Sequence, residues 1–173
     1  MANIDFGHGL SPKYDLISEN IPQKIYAVDS AAATVYPGDL VKMETDGYAA
    51  PSATTNVNNI GVAGSYHLTG TAGTVVVYNS PYTVFAVQVN GGTLDIACLG
   101  SCADLDTSEG PDTVRKLSGH QCSSTVGAGT AQLKILGLCP TQDTYTAPAN
   151  AYGANQVVLV LINEHLLKDT AGI

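Results

Sequence analysis

Apolar and polar residues alternate in short runs along most of the chain, separated by Gly, Pro, Asn and Asp. Lys24-Ile25-Tyr26-Ala27-Val28-Asp29 has the period-two texture of a half-buried strand. Tyr36-Pro37-Gly38-Asp39 reads as a turn, and Leu40 to Glu44 as a second strand closing at Asp46-Gly47, a favoured hairpin dipeptide. A loop rich in Ser, Thr and Asn follows over 52–59. Ile60 to Tyr66 then reads as a glycine-containing strand, bulged or closely packed. Thr74 to Tyr78 and Thr83 to Val89 are β-branched strands around Asn79-Ser80-Pro81-Tyr82, and Leu94 to Leu99 is a weaker strand after Gly91-Gly92. Gln132 to Leu138 and Gln156 to Asn163 complete the set, with a loop between them and a short helical turn expected at 164–168. No amphipathic helix longer than two turns is predicted, and no internal repeat is visible.

This pattern predicts an all-β fold: a small β-barrel, or a jelly-roll or tulip-like sandwich. Residues 1–22 read as an extended N-terminal arm, because Ile4, Phe6, Leu10, Tyr14, Leu16 and Ile17 are apolar anchors without a period. Residues 23–173 read as a single β-rich domain with a long polar loop at about 100–131. A loop of that length is usually functional or carries irregular structure of its own.

Composition narrows the function classes. The chain has 173 residues, 7 Lys+Arg and 15 Asp+Glu, so its formal charge is 7 − 15 = −8. Its basic residues are scattered, which argues against a nucleic-acid binder working through phosphate neutralisation. Charged residues make up 13% of the chain, about half the usual globular share. Part of the surface is therefore expected to be covered by a partner. No run approaches the length of a membrane helix, and the N-terminus lacks the basic and apolar regions of a signal peptide. The expectation is a protein assembled in the cytoplasm, with no membrane partner. Nine tyrosines against two Phe and no Trp supply side chains that are apolar in body and polar at the tip, as interfaces favour.

Candidate chemistry is sparse. Cys98, Cys102, Cys122 and Cys139 lack the paired spacing of a structural zinc site, and sequence alone leaves disulfides and buried thiols both open. His8, His67, His120 and His165 fall in unrelated segments, and no Ser occupies a nucleophile elbow. Asp104, Asp106, Glu109 and Asp112 cluster without a calcium-loop pattern and read as a solvated acidic loop. No catalytic residue, metal or cofactor is expected.

The order Lys24 to Val41, KIYAVDSAAATVYPGDLV, followed by Pro51 and Ile60-Gly61-Val62-Ala63-Gly64, resembles tailed-bacteriophage virion proteins. The strands Val84 to Val89 and Gln132 to Leu138 and the closing Val160-Leu161-Ile162-Asn163-Glu164-His165 fit the same pattern. The chain is similar over roughly 23–165 to phage head decoration proteins, also called cement or auxiliary capsid proteins. The 100–131 segment has no match in that pattern. The resemblance implies a small β-rich module, often trimeric, on the outer surface of the capsid. There it bridges neighbouring major capsid subunits and holds the head against internal DNA pressure. No catalytic residues come with it. Ile4, Phe6, Leu10 and Tyr14 are expected to anchor the arm on the capsid, with strand addition as the mode. A receptor- or glycan-binding module on the virion is the alternative, with the 100–131 loop as its site and the absence of Trp against it. A small β-barrel hydrolase is disfavoured by the lack of any nucleophile–base spacing.

Overall fold

The computed structural model describes residues 3, 5, 7–127, 129, 131–140 and 150–168. Eleven strands occur among them: β1 (Ser11–Asp15), β2 (Gln23–Val28), β3 (Leu40–Met43), β4 (Ala49–Pro51), β5 (Asn59–Ala63), β6 (Gly73–Tyr78), β7 (Thr83–Gln88), β8 (Cys102–Asp106), β9 (Gln121–Gly127), β10 (Leu133–Leu138) and β11 (Val157–Ile162). They form two antiparallel sheets packed as a sandwich, one in the order β1-β7-β11-β10-β8-β9 and the other β2-β6-β5-β3-β4.

The apolar run Val157 to Ile162 becomes β11, flanked on both sides by β7 and β10. Its Val158, Val160 and Ile162 point into the main core with Phe85, Val87, Leu105, Leu133 and Ile135. A second cluster, Val28, Val35, Val41, Ala49, Ile60, Ala63, Val75 and Val77, fills the five-stranded sheet. β7 is buried along its whole length, as expected of a strand with neighbours on both edges and packing on both faces. Both sheets curl. β2 approaches β4 across the shorter sheet, and Val89 at the end of β7 bridges Cys122 of β9. Gly61 makes β5 possible: its φ is +139°, and a Cβ there would lie 2.0 Å from the Tyr78 carbonyl oxygen. The expected bulge is present, as the β3–β5 register shifts between Val41 and Lys42.

Four expectations change. The arm does not extend to residue 22: β1 pairs with β7, and Leu10 is buried in the main core. The spaced apolar residues of this segment had no period because Leu10 serves the core whereas Leu16 and Ile17 do not. The 100–131 segment is not a single loop, since it contains β8 and β9 paired as a hairpin. Its core-facing positions are Ala103, Leu105 and Cys122, Cys102 is buried on the opposite face, and the exposed side of β9 is Ser and Thr, so neither strand shows strong β-branched alternation. Leu94 to Leu99 is not a strand but a 3-10 turn at Ile96–Cys98, with the Asp95 side chain accepting from the Ala97 N–H at 2.9 Å. Residues 164–168 close as a hydrogen-bonded turn, Lys168 N–H to His165 O at 2.8 Å, without forming a helix.

Candidate functional site

Of the four proposed anchors, Ile4 and Phe6 lie outside the described residues. Leu10 is spent inside the protein's own core, so it cannot anchor a partner. Tyr14 sits on β1, an outermost strand of the six-stranded sheet, with its side chain exposed just after a register shift between Pro12 and Tyr14.

Tyr14 belongs to a larger apolar surface. Directly after β1, the Asp15 carboxylate turns the chain: Oδ1 accepts the N–H groups of Ile17 and Ser18, both at 3.0 Å, and Oδ2 accepts the Thr83 hydroxyl at 3.0 Å. Partial burial alone would raise the Asp15 pKa. Hydrogen bonds from Ser80, Ile17, Ser18 and Thr83 outweigh it and hold the carboxyl below the ordinary aspartate value. This turn leaves Leu16 55% and Ile17 72% exposed. The β6–β7 connection closes against both neighbouring segments. Tyr82 O accepts the Leu16 N–H at 3.1 Å, and Pro22 O accepts the Asn79 N–H at 3.3 Å. Tyr82 is itself exposed, and Ile25, 65% exposed, continues the surface along β2. In β2 the inward residues are Tyr26 and Val28, so the strand's phase turns Ile25 to the outside. Tyr14 on one outermost strand, Ile25 on another, and Leu16, Ile17 and Tyr82 on the hydrogen-bonded segments between them are thus all exposed apolar side chains, together termed the apolar patch. Exposed apolar side chains gathered on adjoining segments in this way are the raw material of protein contact sites. Sequence reading singled out Tyr14, Leu16 and Ile17, but Ile25 and Tyr82 join them only through the fold.

The titratable groups serve the architecture. His120 is buried between two backbone segments: its Nδ1 accepts the Leu40 N–H at 3.0 Å, and its Nε2 lies 3.6 Å from Asp39 Oδ1. Burial lowers its pKa, with the Asp39 charge partly opposing. Asp39 Oδ2 accepts the Tyr36 N–H at 2.8 Å, closing the Pro37-Gly38 turn. His67 Nε2 meets Thr71 O at 2.9 Å. His165 is fully buried, with Nδ1 accepting the Leu167 N–H at 3.1 Å. Burial, then the nearby Lys168 charge, push its pKa down to about 4. These histidines therefore do not converge. The acidic cluster also disperses: Asp106 accepts from Ser108 and Asn90, and Asp112 caps the turn at Val114 and Arg115. Among the described residues, no three His, Cys, Asp or Glu side chains are placed to share a metal ion.

All four cysteines are free thiols. Along the β8–β9 pair, Cys102 faces Gly127 whereas Cys122 faces Leu105. The two are therefore offset by about 10 Å of strand, beyond the Cα separation a disulfide spans. Burial, then the Asp106 charge, push the Cys122 thiol up to about 12.

One construction had no sequence signal. Gln132, 1% exposed, clasps the 52–58 loop to β8. Its Nε2 donates to Ser52 Oγ, Ala53 O and Asn56 O at 3.2, 3.0 and 2.9 Å. Its Oε1 accepts the N–H groups of Thr55 and Leu105 at 3.2 and 3.0 Å. Ser52 in turn donates to Asn59 Oδ1 at 2.7 Å. Beside this clasp lies an open cleft of about 370 Å³ lined by Thr55, Cys102, Asp104, Thr125, Val126, Gly127 and Ala131.

No family model, curated protein or solved structure matches the chain. Among the described residues, no helix is long and apolar enough to cross a membrane.

Proposed function

We propose that this protein is a structural virion component that binds the outside of a tailed-phage capsid and clamps neighbouring major capsid subunits. Its role is to stabilise the DNA-filled head. The observation that carries the reading is the apolar patch of Tyr14, Leu16, Ile17, Tyr82 and Ile25 between two outermost strands. The hydrogen-bonded turn at Asp15 holds Leu16 and Ile17 outward at the surface, so burying them requires a second protein surface. Outermost strands add backbone donors and acceptors for an extended segment of a partner. A homo-oligomer, with a trimer favoured, would present several such patches at once, and weak contacts would then add through effective concentration. The net charge of −8 suits an outer-face position away from packaged DNA. In this reading the protein assembles in the host cytoplasm, and neither nucleic acid nor a cofactor takes part. The glycan-binding alternative gains nothing from the β8–β9 cleft, whose described lining offers no aromatic face for a sugar.

The test is co-sedimentation with DNA-filled and expanded empty shells of the cognate phage. Leu16→Asp with Ile17→Asp is expected to leave the fold intact and reduce occupancy at least about tenfold, by loss of buried apolar area. Wild-type occupancy with both charges in place would refute the assignment of the patch. Absence of wild-type binding to any shell would refute the capsid role.

A further inference from the structure

Asn90-Gly91 is the chain's single Asn-Gly pair, and it sits where β7 is tied back onto β9. The Asn90 N–H donates to Cys122 O at 3.0 Å, next to the Val89–Cys122 bridge. Its side chain continues the tie: Oδ1 accepts the Ser124 N–H at 2.8 Å, and Nδ2 donates to Asp106 Oδ2. Gly91 is exposed, has φ +32°, and has open space where a Cβ would be. Gly91 therefore adds no side-chain bulk next to the Asn90 side chain, and nothing packs where one would be. These contacts fall on the atoms whose charge changes during imide formation. When the Gly91 nitrogen attacks Asn90 Cγ, negative charge grows on Oδ1, where the Ser124 N–H already points. Positive charge grows on Nδ2 as it is protonated to leave, and there the Asp106 carboxylate already sits. Fixed groups aimed at developing charge lower a barrier.

We propose that Asn90 is a self-modification site, which converts through a cyclic imide with Gly91 and thereby loosens the closure of β7 onto β9. The Gly91 N–Cγ bond forms and the Cγ–Nδ2 bond breaks. Ammonia leaves, carrying the Gly91 amide proton. Water then opens the imide at one of its two carbonyls, giving aspartate or isoaspartate. Both products lose the Nδ2 donor to Asp106. In the aspartate a carboxylate oxygen takes its place, turning an attraction into a like-charge contact, whereas in the isoaspartate the Gly91 nitrogen holds Cγ and the new carboxylate is the former backbone carbonyl. The isoaspartate form also lengthens the backbone at the turn by one carbon. This inference does not depend on the capsid reading.

The test follows the full-length folded protein in warm neutral buffer by peptide-mapping mass spectrometry, beside a synthetic peptide spanning 88–93. Asn90 is expected to convert before the other asparagines and at least as fast in the protein as in the peptide. Asp106→Asn is expected to slow conversion in the protein by about tenfold or more. Asn90→Asp, which mimics one product, is expected to speed hydrogen exchange of the Ser124 amide. If Asp106→Asn does not fold, the protein-to-peptide comparison and Asn90→Asp decide alone. Intact Asn90 in the protein after the peptide has converted would overturn the proposal. So would a rate in the folded Asp106→Asn variant equal to wild type, or unchanged Ser124 exchange in Asn90→Asp.

Discussion

Replacing Gln132 by Glu tests the buried clasp with almost no change of volume. The acceptor half of the side chain survives and still faces the Thr55 and Leu105 N–H groups. The donor half becomes an oxygen aimed at Ser52 Oγ and two carbonyls, Ala53 O and Asn56 O. A carboxylate cannot stay charged there, so the folded variant takes up a proton. With an unfolded-state Glu pKa of about 4.3, taking up that proton at pH 7 costs about 1.4 kcal/mol for each of about 2.7 units, or about 3.7 kcal/mol. The protonated acid has one hydrogen where the amide had two, and one carbonyl left short adds about 1 kcal/mol. The expected loss is therefore about 4 to 5 kcal/mol at pH 7, a large share of the roughly 5–15 kcal/mol that holds a domain folded. At pH 5 the protonation part shrinks to about 1 kcal/mol, so the variant recovers about 2.7 kcal/mol relative to wild type. Urea unfolding of both proteins at the two pH values reads this directly. Gln132→Met, which has no proton to take up, should lose stability by the same amount at both. A Glu variant within about 1 kcal/mol of wild type at pH 7, or a loss that does not change with pH, would refute the account of the clasp.

His165 sets an acid limit on the fold. Its folded pKa of about 4 lies below the unfolded value of about 6.5, so the unfolded chain binds the extra proton first. Stability is complete above neutrality and falls as pH drops from 6.5 to 4, by about 3 kcal/mol in total, and His165→Gln should remove that component from the urea-derived pH profile. Gly61→Ala should cost about 3 kcal/mol or more in thermal or urea unfolding, because the new methyl group meets the Tyr78 carbonyl and φ is positive. A thiol reagent added to the native protein should label Cys98 first. Cys102, Cys122 and Cys139 are buried and should react only as the chain opens; rapid labelling of all four would contradict the core described here.

Much of the strand content was legible in the residues because an antiparallel sandwich imposes alternation and turn chemistry locally. Lys24 to Val28, Leu40 to Met43, Thr83 to Gln88 and Val157 to Ile162 became strands within a residue or two of where their patterns placed them. The glycine in Ile60 to Ala63 announced its bulge, since only a residue without Cβ fits against Tyr78. The hairpin of β8 and β9 stayed hidden because its buried positions mix Leu105 with alanine, thiol and glutamine side chains and its outer ones are largely Ser and Thr, so no β-branched alternation marks it. Gln132 was equally silent, because a buried amide has no periodic signature and its partners lie up to 80 positions away along the chain.

The candidate site divides along the same line. Sequence by itself determined that the chain is all-β, sparsely charged and apolar near its start, because these properties depend on composition and near neighbours. Only the tertiary structure decided which apolar residues remain outside. Pairing of β1 with β7 draws Leu10 into the core, the Asp15 turn leaves Leu16 and Ile17 exposed, and the phase of β2 exposes Ile25 beside them. A side chain is buried or left exposed by the element that packs against it, and in this protein those elements come from distant parts of the chain.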